Sequence, residues 1–406
     1  MESFFVLQFV FLFLLLIAIG WILYLHIAFP FWCRQPVVHP YDFFRWPSSL
    51  PQFILKPTCG VLGAVSDIRR RNRFCDFDLV SFSDDFVSDH AFVGEICLFL
   101  QSYFIPDESA LFLFFPSHFR AYHSIGRCFL SFIRTTEELN AIVSSRPIGL
   151  AISTEWLRDD IHFVDFLCLQ NQPSSMIYLY KLLQAHFIRT CLYSHACIFR
   201  KEDSPSLGIV PFLQFSANVY LLPSQIQRAV VLPPGIRFFF LQDKFGSLWI
   251  DSVLPLLYSV FSLIGVSSFS ALMELVRARI LFIGMLIEKE DVVHAIYVVR
   301  DSRTVYLGGG GREGALIQMV SSVSFSSSSS SLFSTGFLYF IREVVYSLGG
   351  ASVVQYLMVD SISHNVDLLL LFLDSDKKIF QTHHVYYYAY NLIMPSLLPR
   401  ECFFLF

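Results

Sequence analysis

The chain ends on Cys402-Phe403-Phe404-Leu405-Phe406, which sets a free carboxylate at the close of an apolar run. Chain ends are usually polar and poorly ordered, so an apolar one predicts a final strand packed inside the protein. A carboxylate held there only accepts hydrogen bonds and requires a cationic partner. Other chemistry-bearing groups are weaker. Gly308–Gly311 lacks the Gly-Lys-Ser/Thr of a phosphate-binding loop and predicts a plain loop. His383-His384 has no further ligand at metal spacing, so strand histidines and no metal are expected. Tyr386–Tyr390 reads as core rather than as a platform for stacked bases. Nine cysteines contain no Cys-x-x-Cys pair, which argues against a zinc ribbon.

The elements that must position such groups begin with composition. The 406 residues are 54% apolar, 17% aromatic and 15% charged, with 45 Phe. Soluble domains average about 25% charged residues. Disordered chains and coiled coils are therefore excluded, and charges recurring along most of the length exclude a polytopic membrane protein. A net charge of −4 argues against a nucleic-acid partner. No Asn-x-Ser/Thr sequon is present, which with the cysteine pattern leans toward a reducing compartment.

Ser3 to Leu25 carries no charged residue, and the apolar stretch runs on to Trp32. A bilayer-spanning helix needs about 20 apolar residues. A cleaved signal would have a basic start and a shorter core, so a retained single-pass anchor is expected. Arg34, Arg45, Lys56, Arg69, Arg70, Arg71 and Arg73 all follow it. The bulk of the chain is therefore expected on the cytoplasmic side of the membrane. Val253–Met273 is also uncharged, but its Pro, Gly and Ser content predicts a pair of packed core helices.

Along the chain, Phe92–Tyr103 has helical periodicity. Arg146-Pro147 predicts a turn, then Ile148–Ser153 a strand and His162–Leu169 another. Pro173-Ser174-Ser175 caps a helix over Met176–Phe187, and Thr190–Ser194 predicts a third strand. Ala295–Val299 and Thr304–Leu307 flank a hairpin turn at Arg300–Arg303. Ser326–Ser331 reads as a flexible loop. A helix over Phe337–Leu348 stops at Gly349-Gly350, and Asp367–Asp374, Val385–Leu392 and Phe403–Phe406 read as strands. The order strand, cap, helix, strand is an α/β unit.

Several of these segments resemble the eukaryotic N-myristoyltransferase family and its divergent relatives in large DNA viruses. Phe31-Trp32-Cys33-Arg34-Gln35-Pro36-Val37 looks like the family's Phe-Trp-x-x-Gln-Pro-Val, which lies on acyl-CoA. Gly149–Ser153 with Asp165-Phe166-Leu167-Cys168-Leu169 is similar to its strand pair ending in Asn-Phe-Leu-Cys-Val. Tyr193-Ser194 resembles its Tyr-Thr pair. Tyr387-Tyr388-Ala389-Tyr390-Asn391-Leu392, then Phe403–Phe406, resembles its Tyr-Tyr-Leu-Tyr-Asn-Trp and apolar last residues. The matches share one order over roughly residues 31 to 406.

The resemblance implies a mixed α+β protein of two fused GNAT-like acyltransferase folds behind one transmembrane helix. Its parts would be an anchor over 1–30, an acyl-CoA-binding domain over 31–235 and a peptide-binding domain over 236–406. It implies transfer of a fatty acyl group from myristoyl-CoA, or another acyl-CoA, to a peptide or protein with an N-terminal glycine. The catalytic set would be the backbone N–H groups of Phe166 and Leu167, the Phe406 carboxylate as base and Ser194 as a contact to the amine. The co-substrate would meet Phe31, Trp32, Gln35, Leu169, Ser174, Ser175 and Met176, and the peptide Asp107 and Glu108.

One departure stands out. The family's basic Arg-Ser-Lys-Arg stretch, which grips the CoA phosphates, is Ser174-Ser175-Met176-Ile177 here. A helix N-terminus with Ser side chains still binds phosphate through its N–H groups. Cationic contacts are about twice as strong as neutral ones, so affinity should fall. The alternative is an acyltransferase-like module that has lost catalysis and binds lipid or protein at a membrane.

Overall fold

The computed structural model describes residues 2–42, 52–54 and 79–406, apart from 106–108, 171–174, 308–312, 326–329, 369–378 and scattered loop positions. The calls on Gly308–Gly311, Asp107, Glu108 and Ser174, most of the strand at Asp367–Asp374 and the first four residues of the loop at Ser326–Ser331 fall outside the described residues; Ser330 and Ser331 begin a helix and not a loop. Of that last segment the described start, through Leu368, is helical.

The first helix, α1, spans Glu2–Ala28. Residues Phe5–Ala28 are long and apolar enough to cross a membrane by length and composition. Their side chains stand free of the rest of the protein until Leu25, which is buried. The helix then turns into the globular part without slack. The Phe29 N–H donates to the Leu25 carbonyl at 2.9 Å and the Cys33 N–H to the Phe29 carbonyl at 3.2 Å. The His26 ring stacks on Tyr41 at 5.5 Å.

The globular part repeats one pattern. In the first half, β1 (Phe129–Thr135), β2 (Glu138–Ile152) and β3 (Glu155–Leu169) form an antiparallel meander. Helices α2 (His90–Tyr103) and α3 (Pro116–His123) precede it. Helix α4 (Ser175–Cys191) follows, and β4 (Ala196–Glu202) returns parallel to β3. The chain continues through β5 (Leu213–Leu221), β6 (Leu263–Val266) and helix α5 (Phe269–Arg277). In the second half, β7 (Leu281–Ile287), β8 (Val293–Leu307) and β9 (Glu313–Ser324) form a second antiparallel meander. Helix α6 (Ser330–Ser347) follows, and β10 (Val354–Asp360) returns parallel to β9.

The halves interlock. Strand β5 pairs with β10, and β11 (Gln381–Tyr390) joins β4 to β5, all antiparallel. The last strand, β12 (Cys402–Leu405), lies parallel to β6, which pairs with β2. Among the described residues the result is one mixed sheet of 15 strands. Helix α6 packs on β7–β10 in one core, and α4 packs on β1–β4 in another.

Local chemistry explains several boundaries. Asp89 caps α2 by accepting from the Ala91 and Phe92 N–H groups at 3.1 and 3.0 Å. Helix α6 ends where Gly349 and Gly350 adopt φ of 110° and 90°, which side-chain-bearing residues rarely take.

Four expectations are corrected. Arg146-Pro147 is no turn: both lie inside β2, facing Phe163 and His162. A proline lacks an N–H for the ladder, but register shifts on either side, at Ser144/Ser145 and Ile148/Leu150, accommodate it. Arg300–Arg303 is a bulge in the single strand β8, with Arg303 at φ 57°, not the tip of a hairpin. Val253–Met273 holds strand β6 between its two helical segments. Thr190–Ser194 is not a strand, because α4 runs to Cys191 and β4 begins only at Ala196.

Candidate functional site

Strand β3 has neighbours on both sides only part of the way. It pairs with β4 from Ile161/Ala196 to Val164/Phe199, and from Asp165 onward it pairs with β2 alone. The parting coincides with a bulge. Ser144 faces Phe166 and Ser145 faces Val164, so Asp165 is the extra residue. Further along, the Gln170 N–H donates to the Asn140 carbonyl at 2.8 Å, on the β2 side. Strand alternation then directs the Leu167 and Leu169 N–H groups to the opposite edge, where β4 has left. Phe166 sits at the bulge itself. Its buried ring packs against Phe114 at 4.9 Å and Tyr122 at 5.4 Å.

The side chains of Leu167 and Leu169 fall on the other face, in the same core cluster as Phe31 and Trp32. Phe31 stacks on Tyr180 of α4 at 4.5 Å, and Trp32 on Phe199 of β4 at 5.7 Å. Gln35 is buried, its Oε1 accepting from the Tyr390 hydroxyl at 3.3 Å while its Nε2 has no partner among the described residues. Ser175 is the first residue of α4. The parted strands, the Phe31–Gln35 segment and the first turns of α4 therefore border one apolar region.

The chain end meets the same bulge from the other side. Phe403 to Phe406 are all buried. The Phe406 ring lies 4.4 Å from Phe163, three residues before Phe166. Phe406 therefore lies against β3 three residues, roughly 10 Å, before Phe166, with Leu167 next along the strand. Ser194 is further off. It lies in the turn before β4, its hydroxyl donating to the Ala196 carbonyl at 3.3 Å. Ala196 is level with Ile161. At about 3.3 Å per residue, Phe166 is roughly 16 Å further along β3. Replacing Ser194 with Ala is expected to change turnover less than about twofold in steady-state acyl transfer, because its buried hydroxyl bonds within its own turn and lies away from the chemistry.

Two ionic clusters near this region, one buried and one half-buried, are absent from the sequence reading. In one, Arg146 Nε donates to both Asp165 oxygens at 3.0 and 2.9 Å, and Nη1 donates to the Ser267 hydroxyl at 2.6 Å. The guanidinium lies over the Tyr122 ring at 5.3 Å. Burial raises the Asp165 carboxyl, and Arg146 opposes that rise. His123 is 3.8 Å from Asp165, yet burial holds it neutral, down to about 3. In the other, Arg200 of β4 meets Glu202 at 2.7 Å and lies 3.9 Å from Asp360. Asp360 accepts from Gln318 Nε2 at 2.9 and 2.8 Å. Arg200 pulls the Glu202 carboxyl down. The usable signal for the first was an arginine inside an apolar strand run, which the neighbouring proline disguised as a turn.

Among the described residues no group of three or more His, Cys, Asp or Glu side chains could hold a metal ion. His383 instead contacts Asp203 at 2.9 Å.

The doubled meander–helix–strand sheet, parted at a bulge, defines a mixed α/β fold class. Within that class the chain is similar to N-myristoyltransferase from Saccharomyces cerevisiae. A myristoyl-CoA-bound structure of that enzyme matches with TM-score 0.68 at 13% identity, over 91% of this chain and 94% of the other. A second matches at 0.67 and 12%, over 91% and 89%. A third, with bound myristoyl-CoA and inhibitors, matches at 0.67 and 14%, over 91% and 90%. At such identities the likeness is one of fold. No protein-family model matches the sequence, and neither does any curated protein.

Proposed function

We propose that the protein is an N-acyltransferase that moves a fatty acyl group from acyl-CoA to the N-terminal glycine amine of a peptide, held at a membrane by α1 with its bulk on the cytoplasmic side. The observation that carries this reading is the parting of β3 from β4 beside the buried chain end. The acyl thioester would enter the gap with its chain toward Phe31, Trp32, Leu167 and Leu169. The Phe406 carboxylate takes a proton from the glycine ammonium, leaving the amine lone pair free to attack the thioester carbonyl. As the new C–N bond forms, the carbonyl oxygen gains negative charge, which the Leu167 N–H receives at the open edge, while the Phe166 N–H, one residue back, faces β2 and holds the bulge in place. Collapse breaks the C–S bond and expels the CoA thiolate, which takes the remaining extra proton from the amide nitrogen and leaves as the thiol. The N–H groups at the start of α4, at Ser175 and Met176, would take a CoA phosphate in place of cations, and Ser174 is assigned to the same role. Asp107 and Glu108 are assigned to the peptide.

The second reading, a module that binds lipid or protein without turnover, is favoured by one feature: no basic residue stands at positions 174–177. Calorimetry with myristoyl-CoA and the full chain in lipid nanodiscs separates the two. Binding is expected, and none at tens of micromolar CoA supports the module. Adding two residues beyond Phe406 moves the carboxylate out of the site. Turnover is expected to vanish while CoA affinity stays within a few-fold; retained turnover removes the terminal carboxylate from the mechanism.

A further inference from the structure

The Arg146–Asp165 pair has no part in the chemistry above, yet it is among the most deeply buried charges of the protein, with side chains 2% and 4% exposed. Three strands meet at this one guanidinium. Asp165 is the bulge residue of β3, next to Phe166 and Leu167. Arg146 itself belongs to β2. Ser267, which takes the Nη1 contact, directly follows β6, and its own N–H donates to the Leu405 carbonyl at 3.2 Å. A continuous path of hydrogen bonds therefore runs from the bulge, through Arg146 and Ser267, to the residue before Phe406. The remaining nitrogen, Nη2, is buried without a partner among the described residues.

We propose that the Arg146–Asp165 ion pair is a positioning device: it fixes the bulged strand that carries Leu167 against the strand that carries Phe406, and Asp165 neutralises the Arg146 charge beside the Phe406 carboxylate. The assignment rests on the proposed role of Phe406. Its physical basis is that an arginine stays protonated when buried. Alone, its charge would repel an incoming ammonium and hold a nearby carboxylate too firmly ionised to act as a base. Paired, it retains its directional hydrogen bonds and loses most of its field. Buried pairs are poor stabilisers but good at fixing one arrangement. The other charged or titratable groups facing the pair are Tyr122 and His123 from α3, Cys128 ahead of β1 and, further off, Arg300 of β8.

The test reads the carboxylate directly. Phenylalanine labelled with ¹³C at the carbonyl carbon gives one titrating signal, the terminal carboxylate of Phe406, in the full chain in nanodiscs. In Asp165→Asn the uncompensated arginine should lower that carboxylate's pKa by about one unit or more. The double variant R146Q/D165N should return it to within a few tenths of the unmodified protein. Equal titrations in all three proteins overturn the neutralising role. The fixing role is read by Ser267→Ala, a small change that leaves the ion pair intact. It should lower kcat about tenfold with an unchanged KM for peptide, and Ser267→Thr should recover it, as expected for a mispositioned reacting group. A kcat within twofold for S267A overturns that role. A protein that shows no acyl transfer at all sinks the proposed function, and the titrations still decide this one.

Discussion

Acidification from pH 7 to pH 5 is expected to remove several kcal/mol of stability from the globular part. Three histidines are responsible. His186 bridges the hydroxyls of Ser131 and Ser145 at 2.9 and 3.0 Å, His162 also reaches Ser145 at 3.3 Å, and His123 lies against Asp165. All three are buried, and burial lowers each to about 3. In the unfolded chain they titrate near about 6.5. Above that pH both states are neutral and the histidines contribute nothing. Below it the unfolded state gains protons that the folded state refuses, so stability falls until the pH approaches 3. The slope is up to about 1.4 kcal/mol per pH unit for each histidine. Three of them give an upper bound of about 6 kcal/mol between pH 6.5 and 5, comparable with the total stability of a domain. Buried Asp165, Asp301 and Asp360 work in the opposite direction, since burial raises them and the folded state then takes up protons first. Urea unfolding at pH 7, 6 and 5 measures the balance. H186Q, which keeps a hydrogen-bonding amide between the serines, should flatten the slope by about one proton. An unchanged slope in H186Q would show that His186 is not a source.

The second large effect concerns Gly265, in the middle of β6. A Cβ there would lie 2.4 Å from Cε1 of Phe406 and 2.8 Å from Cδ1 of Phe404. Both rings are buried, so neither can swing into solvent. Gly265→Ala must therefore push the chain end off its seat. Overpacking of this kind costs about 1–3 kcal/mol. If the Phe406 carboxylate is the base, a displacement of about 1 Å should lower acyl transfer by roughly a hundredfold, well beyond the loss of folded protein. Gly94 is the control: it lies in α2 with open space around it, so Gly94→Ala should stabilise by about 1 kcal/mol and leave transfer unchanged. Thermal melts and steady-state transfer on the two variants decide the matter. G265A at full activity would contradict the placement of Phe406 in the site.

Much of this arrangement is readable from local signals. An uncharged run of helical length predicts α1, the apolar periodicity of Phe92–Tyr103 predicts most of α2, and Gly349-Gly350 marks the end of α6. The apolar final residues predict β12. Features that arise from pairing between distant strands are less readable. The bulge at Asp165 exists only relative to Ser144 and Ser145, and nothing near Asp165 marks it. Pro147 looks like punctuation because its tolerance in a central strand comes from register shifts in a partner. Ser194 follows a helix whose last turn, to Cys191, is held by tertiary packing; Thr190 there is fully buried. Strand β6 is too short, and too closely flanked by helices, for a period of two to emerge.

The join between α1 and the globular part bears on where an acylated product goes. A helix of 27 residues is about 40 Å long, some 10 Å more than a hydrocarbon core. With α1 across a bilayer, its last turns, with Trp21 and Tyr24 stacked at 5.7 Å, fall in the headgroup layer, where such rings prefer to sit. Phe31 follows Ala28 within one turn, so in that arrangement the apolar region beside Phe31 would open at the lipid surface and not at the end of a tether. The reactants of the proposed transfer would then meet by lateral diffusion in two dimensions. A freshly attached fatty chain need not cross water; it can slide from the gap into the leaflet, which would turn the slow release of a greasy product into a partition between two apolar phases.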